Sequence, residues 1–534
     1  MKSYRQNESR GKAKVVVSTE DIINPIFGGV GFQIFHHQHS PTEEHFNRVI
    51  AKRWRELNPS FARVSDRWDW EKEELNHLAD HLHRLEETGT EVYLTTFGPK
   101  DTEEGEERSR YASKIVDNLE YLIRECQVEN ISYYCMTNEL SLNEWASLTD
   151  DLPTFQDYHQ KIFDELKRRK LDVKLLATDA SPFKYWDTIE WAAKNMDGIT
   201  GVYGGHHYIN DHDLKDKDFY EWFLSKMEGG ADLAKGKGKK FILGEFGCQQ
   251  DGSMKDGVKM DRCVYWDTPQ ESLVGIQLAE AVFAAINGGI YGLANWTFTD
   301  FPDDYSDTSI NKWGTFKWSG GDFSTRDHYY AYGLLTKYFR GPATVFNISS
   351  DNGLLRGAAI QHHSSDSYSI GVVNRSEKDV EMEVDLEGRS FQAQWRKYVY
   401  RPEEVPSNQF GDLQAPKKKI KMEKGSFDDV LKGGSLTVYT TDYDEQPPRA
   451  VRNLKTKETA GGVQLNWEAN PESEVVYYNV YRSKDPDFAP NWDNRVDSTV
   501  KTKFLDKEAE GGNEWHYKVL AVDRSGNLSE ESNS

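Results

Sequence analysis

Between about residue 27 and residue 340, short apolar runs alternate with longer stretches whose apolar residues recur every three or four positions. The first pattern reads as a buried strand and the second as an amphipathic helix. Strands are expected at 27–36, 61–67, 91–97, 131–138, 174–180, 199–207, 240–246 and 289–298. Helices are expected at Glu43–Leu57, Glu73–Glu87, Arg108–Glu125, Phe155–Arg169, Trp186–Asn195, Phe219–Lys235, Ser272–Asn287 and His328–Phe339. Pro41 and Thr42 give the first its start signal, and Leu75, Leu78, Leu82 and Leu85 share one face of the second. Eight β/α units in order imply a closed parallel (β/α)8 barrel, the α/β class of a TIM barrel. A doubly wound open sheet is the runner-up. It would place a Gly-rich phosphate turn after its first strand, whereas Gly28-Gly-Val-Gly31 lies inside that strand.

Beyond residue 340 the period shortens to two. Ala343–Ile348, Ala358–Gln361, Tyr368–Val373, Val380–Val384, Gln392–Tyr400 and Ser435–Thr440 read as strands of an antiparallel β-sandwich. Ala13–Val17 is expected to join it as an edge strand, and the basic run Lys417-Lys-Lys-Ile-Lys421 reads as a solvated strand edge. Pro447-Pro448 marks a linker. The expected division is therefore a barrel at 19–340, a sandwich at 341–445 that takes in a strand from 1–18, and a third domain at 446–534. In that last domain Val463–Trp467, Val475–Tyr481 and Trp515–Val522 alternate cleanly. These residues resemble a fibronectin type III domain. The resemblance implies a second β-sandwich, with Trp467 as its strand-B tryptophan, Tyr517 as its tyrosine corner and Asp523-Arg-Ser-Gly-Asn527 as its last hairpin turn. Such a domain serves as a spacer or adhesion unit and is expected to be separable by truncation near Asp444.

Composition narrows the function classes. A formal net charge of −22 opposes binding to nucleic acid or to an anionic membrane surface. No apolar stretch is long enough to span a bilayer, and the N-terminus lacks the apolar segment of a signal peptide. As written, the chain reads as cytoplasmic, and as secreted if a leader has been removed. Aromatic residues reach 13%, which suits large β-rich cores and also sugar-stacking platforms. The four cysteines lack zinc-type spacing, although Cys248 and Cys263 flank one loop and could pair.

Two glutamates carry the candidate chemistry. Glu139 ends the fourth expected strand in Met136-Thr-Asn138-Glu139-Leu140, and Glu245 ends the seventh in Gly244-Glu245-Phe-Gly247. Carboxylates at the C-terminal ends of strands 4 and 7 face each other across a barrel mouth, the minimum equipment for cleaving a glycosidic bond. Further polar residues end other strands. Asn138 could donate to a sugar hydroxyl, and Tyr208 or a histidine of Gly204-Gly205-His206-His207-Tyr208 could hydrogen-bond Glu245. Arg63 could keep Glu245 ionised by charge pairing. Trp296, in Ala294-Asn-Trp-Thr-Phe-Thr-Asp300, could floor a sugar site. Of the cluster His36-His37-Gln-His39, His36 and His37 read as substrate contacts at the rim, because so compact a run lacks the distant partner that a zinc site needs. Trp68 and Trp70 suit subsite lining and core packing equally.

Together these strand ends resemble the clan A retaining glycoside hydrolases, and within that clan family 39, which includes β-xylosidases. The segment Trp296-Thr-Phe-Thr-Asp300 is similar to that family's strand-8 motif. The resemblance implies Glu139 as acid/base and Glu245 as nucleophile, with His36, His37, Arg63, Asn138, His206, His207, Tyr208, Trp296 and Asp300 around the substrate. It implies a carbohydrate substrate and neither metal nor cofactor. The chain departs from the family's Asn-Glu-Pro at Leu140, and its acidic pair Asp303-Asp304 is displaced behind Pro302. A non-catalytic carbohydrate-binding protein on a hydrolase-like barrel is the alternative.

Overall fold

The structure is a computed structural model that describes residues 12–34, 46–97, 106–140, 148–210, 219–249, 254–255, 258–259, 271–303, 306–318, 323–388, 392–416, 418–509 and 514–532. Two compact units emerge from its contacts. The first comprises Met1–His39, Pro59–Val405 and Lys418–Thr441, and the second Ser40–Asn58, Pro406–Lys417 and Asp442–Ser534.

The first unit contains the closed barrel. Its strands are β1 (Ala13–Ile34), β2 (Phe61–Arg67), β3 (Glu91–Phe97), β4 (Ile131–Cys135), β5 (Lys174–Ala180), β6 (Val202–Asn210), β7 (Phe241–Gln249) and β8 (Gly292–Asn295). Each pairs in parallel with the next, and β1 closes the ring on β8 with Gly29 opposite Gly292. The sequence pattern therefore located all eight. Between them run helices such as Lys72–Glu86, whose Leu75, Leu78, Leu82 and Leu85 are buried as their spacing demands. Each such side chain contributes about 1.5–3 kcal/mol when fully buried.

One strand differs from expectation. β1 is a single run through two layers. Its Ala13–Ser18 half lies between two sandwich strands, antiparallel to one and parallel to the other, so it is internal rather than an edge. Its Gly29–Ile34 half belongs to the barrel. Register shifts between Ser18 and Gly29 turn it from one sheet into the other. The glycine run serves this passage: a Cβ on Gly31 would lie 1.7 Å from the Phe61 carbonyl oxygen.

The sandwich has one antiparallel sheet of β9 (Arg340–Ser350), β10 (Leu355–His362), β11 (Tyr368–Asn374), β13 (Ala393–Tyr400), β14 (Lys418–Met422) and β16 (Ser435–Thr440). The N-terminal half of β1, β12 (Val380–Glu387) and β15 (Ser426–Leu431) pair across the core. Trp395, Met382, Val384 and Phe427 fill the space between. β15 escaped the sequence reading because an inward position holds Asp429, which is buried against Lys397 and receives the Tyr439 hydroxyl at 2.7 Å. Helices Glu271–Asn287 and Asp327–Tyr338 join barrel and sandwich. Phe283 meets Phe339, the Asn287 amide donates to the Gly357 carbonyl at 2.7 Å, and every residue of the second helix after Asp327 is buried.

The second unit has two three-stranded antiparallel sheets. Lys455–Thr459, Gly462–Asn466 and Lys503–Asp506 form one; Val475–Ser483, Arg495–Thr499 and His516–Asp523 form the other. Trp467, Tyr478, Val480, Phe504 and Tyr517 share their core. The Tyr517 hydroxyl donates to Asp506 at 3.0 Å, and the Asp523–Asn527 turn closes around Gly526 in the left-handed region. This unit is larger than its sequence signature. Helix Ala51–Leu57 and the segment around Asp412 belong to it, and Asp412 is buried among Lys52, Arg53 and Arg495.

Among the described residues, no helix is long and apolar enough to cross a membrane.

Candidate active site

Side chains alternate along a strand, so every second residue of a barrel strand faces the interior. That rule places Arg63 on β2, Tyr93 on β3, Asp179 near the end of β5, His206 and Tyr208 on β6 and Glu245 on β7 around one space. Register neighbours reinforce the grouping: Gln33 is opposite Arg63, Arg63 opposite Tyr93, and His206 opposite Glu245. Glu139 follows β4 with φ +60°, a left-handed conformation that is uncommon outside glycine and tends to persist where the surroundings impose it.

Arg63 is the hub. It is fully buried, and its Nη1 contacts Glu245 Oε1 and donates to Gln33 at 3.0 Å. Its Nη2 donates to Asn138 Oδ1 at 2.7 Å and to Asp179 Oδ2 at 3.2 Å. The other oxygen of Glu245 accepts the Tyr208 hydroxyl at 2.8 Å. His206 lies between the carboxylates. Its Nδ1 is 3.3 Å from Glu139 Oε1 and 3.6 Å from Glu245 Oε2, and its Nε2 is 2.8 Å from Asp179 Oδ1. Tyr93 donates to that same Asp179 oxygen at 2.6 Å. Ser181 adds a hydrogen bond to Glu139.

Three carboxylates and two cationic groups thus share a water-poor space, and their proton affinities are interlocked. Burial opposes the charge of His206, but Asp179 and Glu245 push it up to about 9. Burial would raise Asp179, yet His206 and Arg63 hold it down at about 2. Burial holds Glu245 above the ordinary carboxylate value, against the pull of Arg63 and His206, and the Glu139 charge adds to the rise. For Glu139 burial is outweighed by the hydrogen bond and charge of His206, which bring it below the ordinary value. In the last pair both shifts favour the proton on His206, with Glu139 ionised beside it. A charged His206 beside an ionised Glu139 carries as many protons as a neutral His206 beside a protonated Glu139.

Glu139, His206 and Glu245 each offer a ligand atom within 4.8 Å of the others. Distance alone would suit a metal ion. However, the guanidinium on Glu245 and the proton on His206 already supply the positive charge that such an ion would bring.

The structure thus gathers Glu139, Glu245, Arg63, Asn138, His206 and Tyr208. The other sequence candidates take no part in these contacts. His207 points to the opposite face of β6, stacked on Phe183 at 3.7 Å between ring centroids. Asp300 is held by both terminal nitrogens of Arg326, at 2.8 and 3.0 Å, and caps Gly314, so it is a satisfied structural carboxylate. Trp296 follows β8, partly exposed, its ring edge-on to Phe301. Trp68 packs on Tyr111, and Trp70 is buried. His36, His37, Asp304 and Cys263 lie outside the described residues. Sequence reasoning missed Asp179, Tyr93 and Trp313, the last of which meets the Tyr208 ring at 5.8 Å. The available signal was position: Asp179 lies near the end of β5, and Arg63, Asn138 and His206 lie on or just after other barrel strands.

No family model matches the chain. The solved structures that it resembles share the fold. A xylanase of glycoside hydrolase family 30 subfamily 8 from Clostridium acetobutylicum superposes with a TM-score of 0.54 at 12% identity, covering 80% of this chain and 99% of that one. The catalytic domain of a family 30 xylanase C from Talaromyces cellulolyticus gives 0.57 at 10% identity, covering 80% and 99%. An α-L-arabinofuranosidase from Thermotoga maritima gives 0.55 at 12% identity, covering 80% and 99%. By sequence, an amylopullulanase from Thermoanaerobacter thermohydrosulfuricus is 30% identical over 115 residues, which are 22% of this chain and 7% of that protein.

Proposed function

We propose that this protein is a retaining glycoside hydrolase acting on a polysaccharide or its oligosaccharides, with Glu245 as nucleophile and Glu139 as acid/base. The observation that carries the reading is the approach of the two carboxylates. One oxygen of each lies within 4.8 Å of an oxygen of the other, the nearest approach of the pair. Retaining enzymes hold the two carboxyl groups about 5–5.5 Å apart, whereas inverting ones leave about 6.5–9.5 Å for a water molecule. Burial leaves Glu245 above and His206 brings Glu139 below the ordinary carboxylate value, so the roles are assigned on contacts and on the motif resemblance and not on proton affinity. Glu245 has a guanidinium on one oxygen and a phenol on the other, both of which favour the carboxylate. Glu139 contacts, at 3.3 Å, a histidine that favours the proton itself, so an acid role for Glu139 needs that proton passed across.

In the first step Glu245 attacks the anomeric carbon while Glu139 protonates the departing oxygen. In the second, Glu139 takes a proton from water, which displaces Glu245 from the sugar. Asn138 has its amide oxygen committed to Arg63, so it would meet a sugar hydroxyl with its NH2 group. Trp313, which meets the Tyr208 ring, and the partly exposed Trp296 after β8 are the rings we assign to a sugar face. The likeness to family 30 xylanases and to an arabinofuranosidase supports a glycosidase on this fold, while the strand-8 motif is the feature that resembles family 39. The fibronectin type III resemblance of the second unit would make it an accessory module.

The test is a panel of aryl glycosides with the wild type and two variants. Turnover by the wild type is expected. Glu245→Ala should lose it and regain activity with azide, giving an inverted glycosyl azide. Glu139→Ala should fail mainly on poor leaving groups and give a retained azide product. Binding without turnover would instead make the protein a carbohydrate-binding barrel.

A further inference from the structure

Asp179 belongs to neither catalytic role, yet it touches the supports of both. It is fully buried, with φ +62° placing it in the left-handed region. One oxygen accepts from Arg63, the group on Glu245; the other lies 2.8 Å from Nε2 of His206, the group on Glu139, as an ion-pair contact off the hydrogen-bond axis. Room for this contact comes from the neighbouring strand. A Cβ on Gly244 would lie 2.9 Å from His206 Nε2 and 3.2 Å from Asp179 Oδ1, so a side chain there would press between the two. We propose that Asp179 is a positioning residue that pins the Nε2 proton of His206, so that Nδ1 holds the acid/base proton in reserve for Glu139. This rests on the hydrolase reading of the site.

The step balances as follows. The Nδ1–H bond of His206 breaks as an O–H bond forms on Glu139. That proton then passes to the oxygen leaving the anomeric carbon, and His206 stays neutral with Nε2–H on Asp179. When water attacks the glycosyl–Glu245 ester, Glu139 takes the water's proton and returns it to Nδ1. The charged and titratable groups facing this relay are Arg63 from β2, Tyr93 from β3, Cys135 and Glu139 from β4 and the residues after it, and Glu245 from β7.

Asp179→Asn should lower the proton affinity of His206, because the imidazolium loses its nearest anion. The basic limb of the pH–rate profile should then move down by about one unit or more on a substrate with a poor leaving group. The rate loss on that substrate should exceed the loss on an activated aryl glycoside by about tenfold or more. His206→Gln should show the same selectivity, and the double variant should lose little more than either single one. Equal losses on both substrates with an unmoved basic limb would overturn the proposal, as a merely structural role predicts that outcome. A readout independent of turnover covers an Asp179→Asn variant that does not fold, or a protein that cleaves no glycoside. In wild type labelled with 15N-histidine, assigned by difference against His206→Gln, Nε2 should keep its proton at high pH while Nδ1 loses it. Loss from Nε2 first would overturn the proposal even if the hydrolase reading stands.

Discussion

The Tyr208 hydroxyl reaches Glu245 Oε2 at 2.8 Å from the adjacent strand, on the oxygen that Arg63 leaves open. A hydrogen bond to a charged group is worth about 1.5–3 kcal/mol. Tyr208→Phe should therefore lower kcat/KM by about tenfold or more at little cost in stability, because the ring still packs on Trp313. Steady-state kinetics beside a denaturant curve would check this; an unchanged kcat/KM would remove Tyr208 from the machinery.

Arg63 is the stronger support. Arg63→Lys keeps a charge but loses the fork that meets Glu245, Asn138, Asp179 and Gln33 together. A loss of about a hundredfold or more in kcat is expected, in line with the removal of a preorganised electrostatic contact. Retention of more than about a tenth of the wild-type rate would argue that Glu245 needs no guanidinium.

The pH profile follows from the same groups. Glu245 reacts as a carboxylate, so activity must fall as pH drops through its proton affinity. Burial raises that affinity. The acidic limb of kcat/KM should therefore lie above the ordinary glutamate value of about 4.3. On the other side, loss of the proton shared by His206 and Glu139 should set the basic limb, with His206 pushed up to about 9. An acidic limb at or below the ordinary value would mean that the pair is not organised in this way.

In the second unit, Asp412 is the counter-charge to Lys52, Arg53 and Arg495, and all four are buried. Asp412→Ala should cost about 3–5 kcal/mol in denaturant unfolding, since it strands buried cations. A truncation after Asp444 removes Arg495 and the strands around it, leaving Lys52, Arg53 and Asp412 without their setting. The shortened chain should therefore be poorly soluble or unstable rather than an active core. A fully stable, active truncation would restore the simple separability that Pro447-Pro448 suggests in the sequence.

The barrel was legible because its signal is periodic. Eight apolar runs and the helices between them, such as the Leu75–Leu85 stripe, announce themselves locally. The two glutamates with Arg63, Asn138, His206 and Tyr208 were legible because each lies on or just after a barrel strand, and a barrel turns such residues toward one space. Other features depend on packing that no local pattern encodes. Beyond the place of Asp179 near the end of its strand, nothing in Ala177-Thr-Asp179-Ala180 signals that its carboxylate meets groups from β2, β3 and β6. His207 and Asp300 were chosen for company in the sequence. Alternation turned the first outward, and Arg326, a residue far along the chain, claimed the second. The Asp429 strand was hidden for a related reason, because an ion pair took the place of an apolar inward residue.

The most direct measurement of the central claim is the configuration of the first product. Proton NMR during the opening minutes of hydrolysis, before the anomers equilibrate, reports which one the enzyme releases. Double displacement at Glu245, assisted by Glu139, predicts the anomer with the configuration of the substrate. Release of the opposite anomer would contradict it, because the two carboxylates would then be activating water in a single displacement.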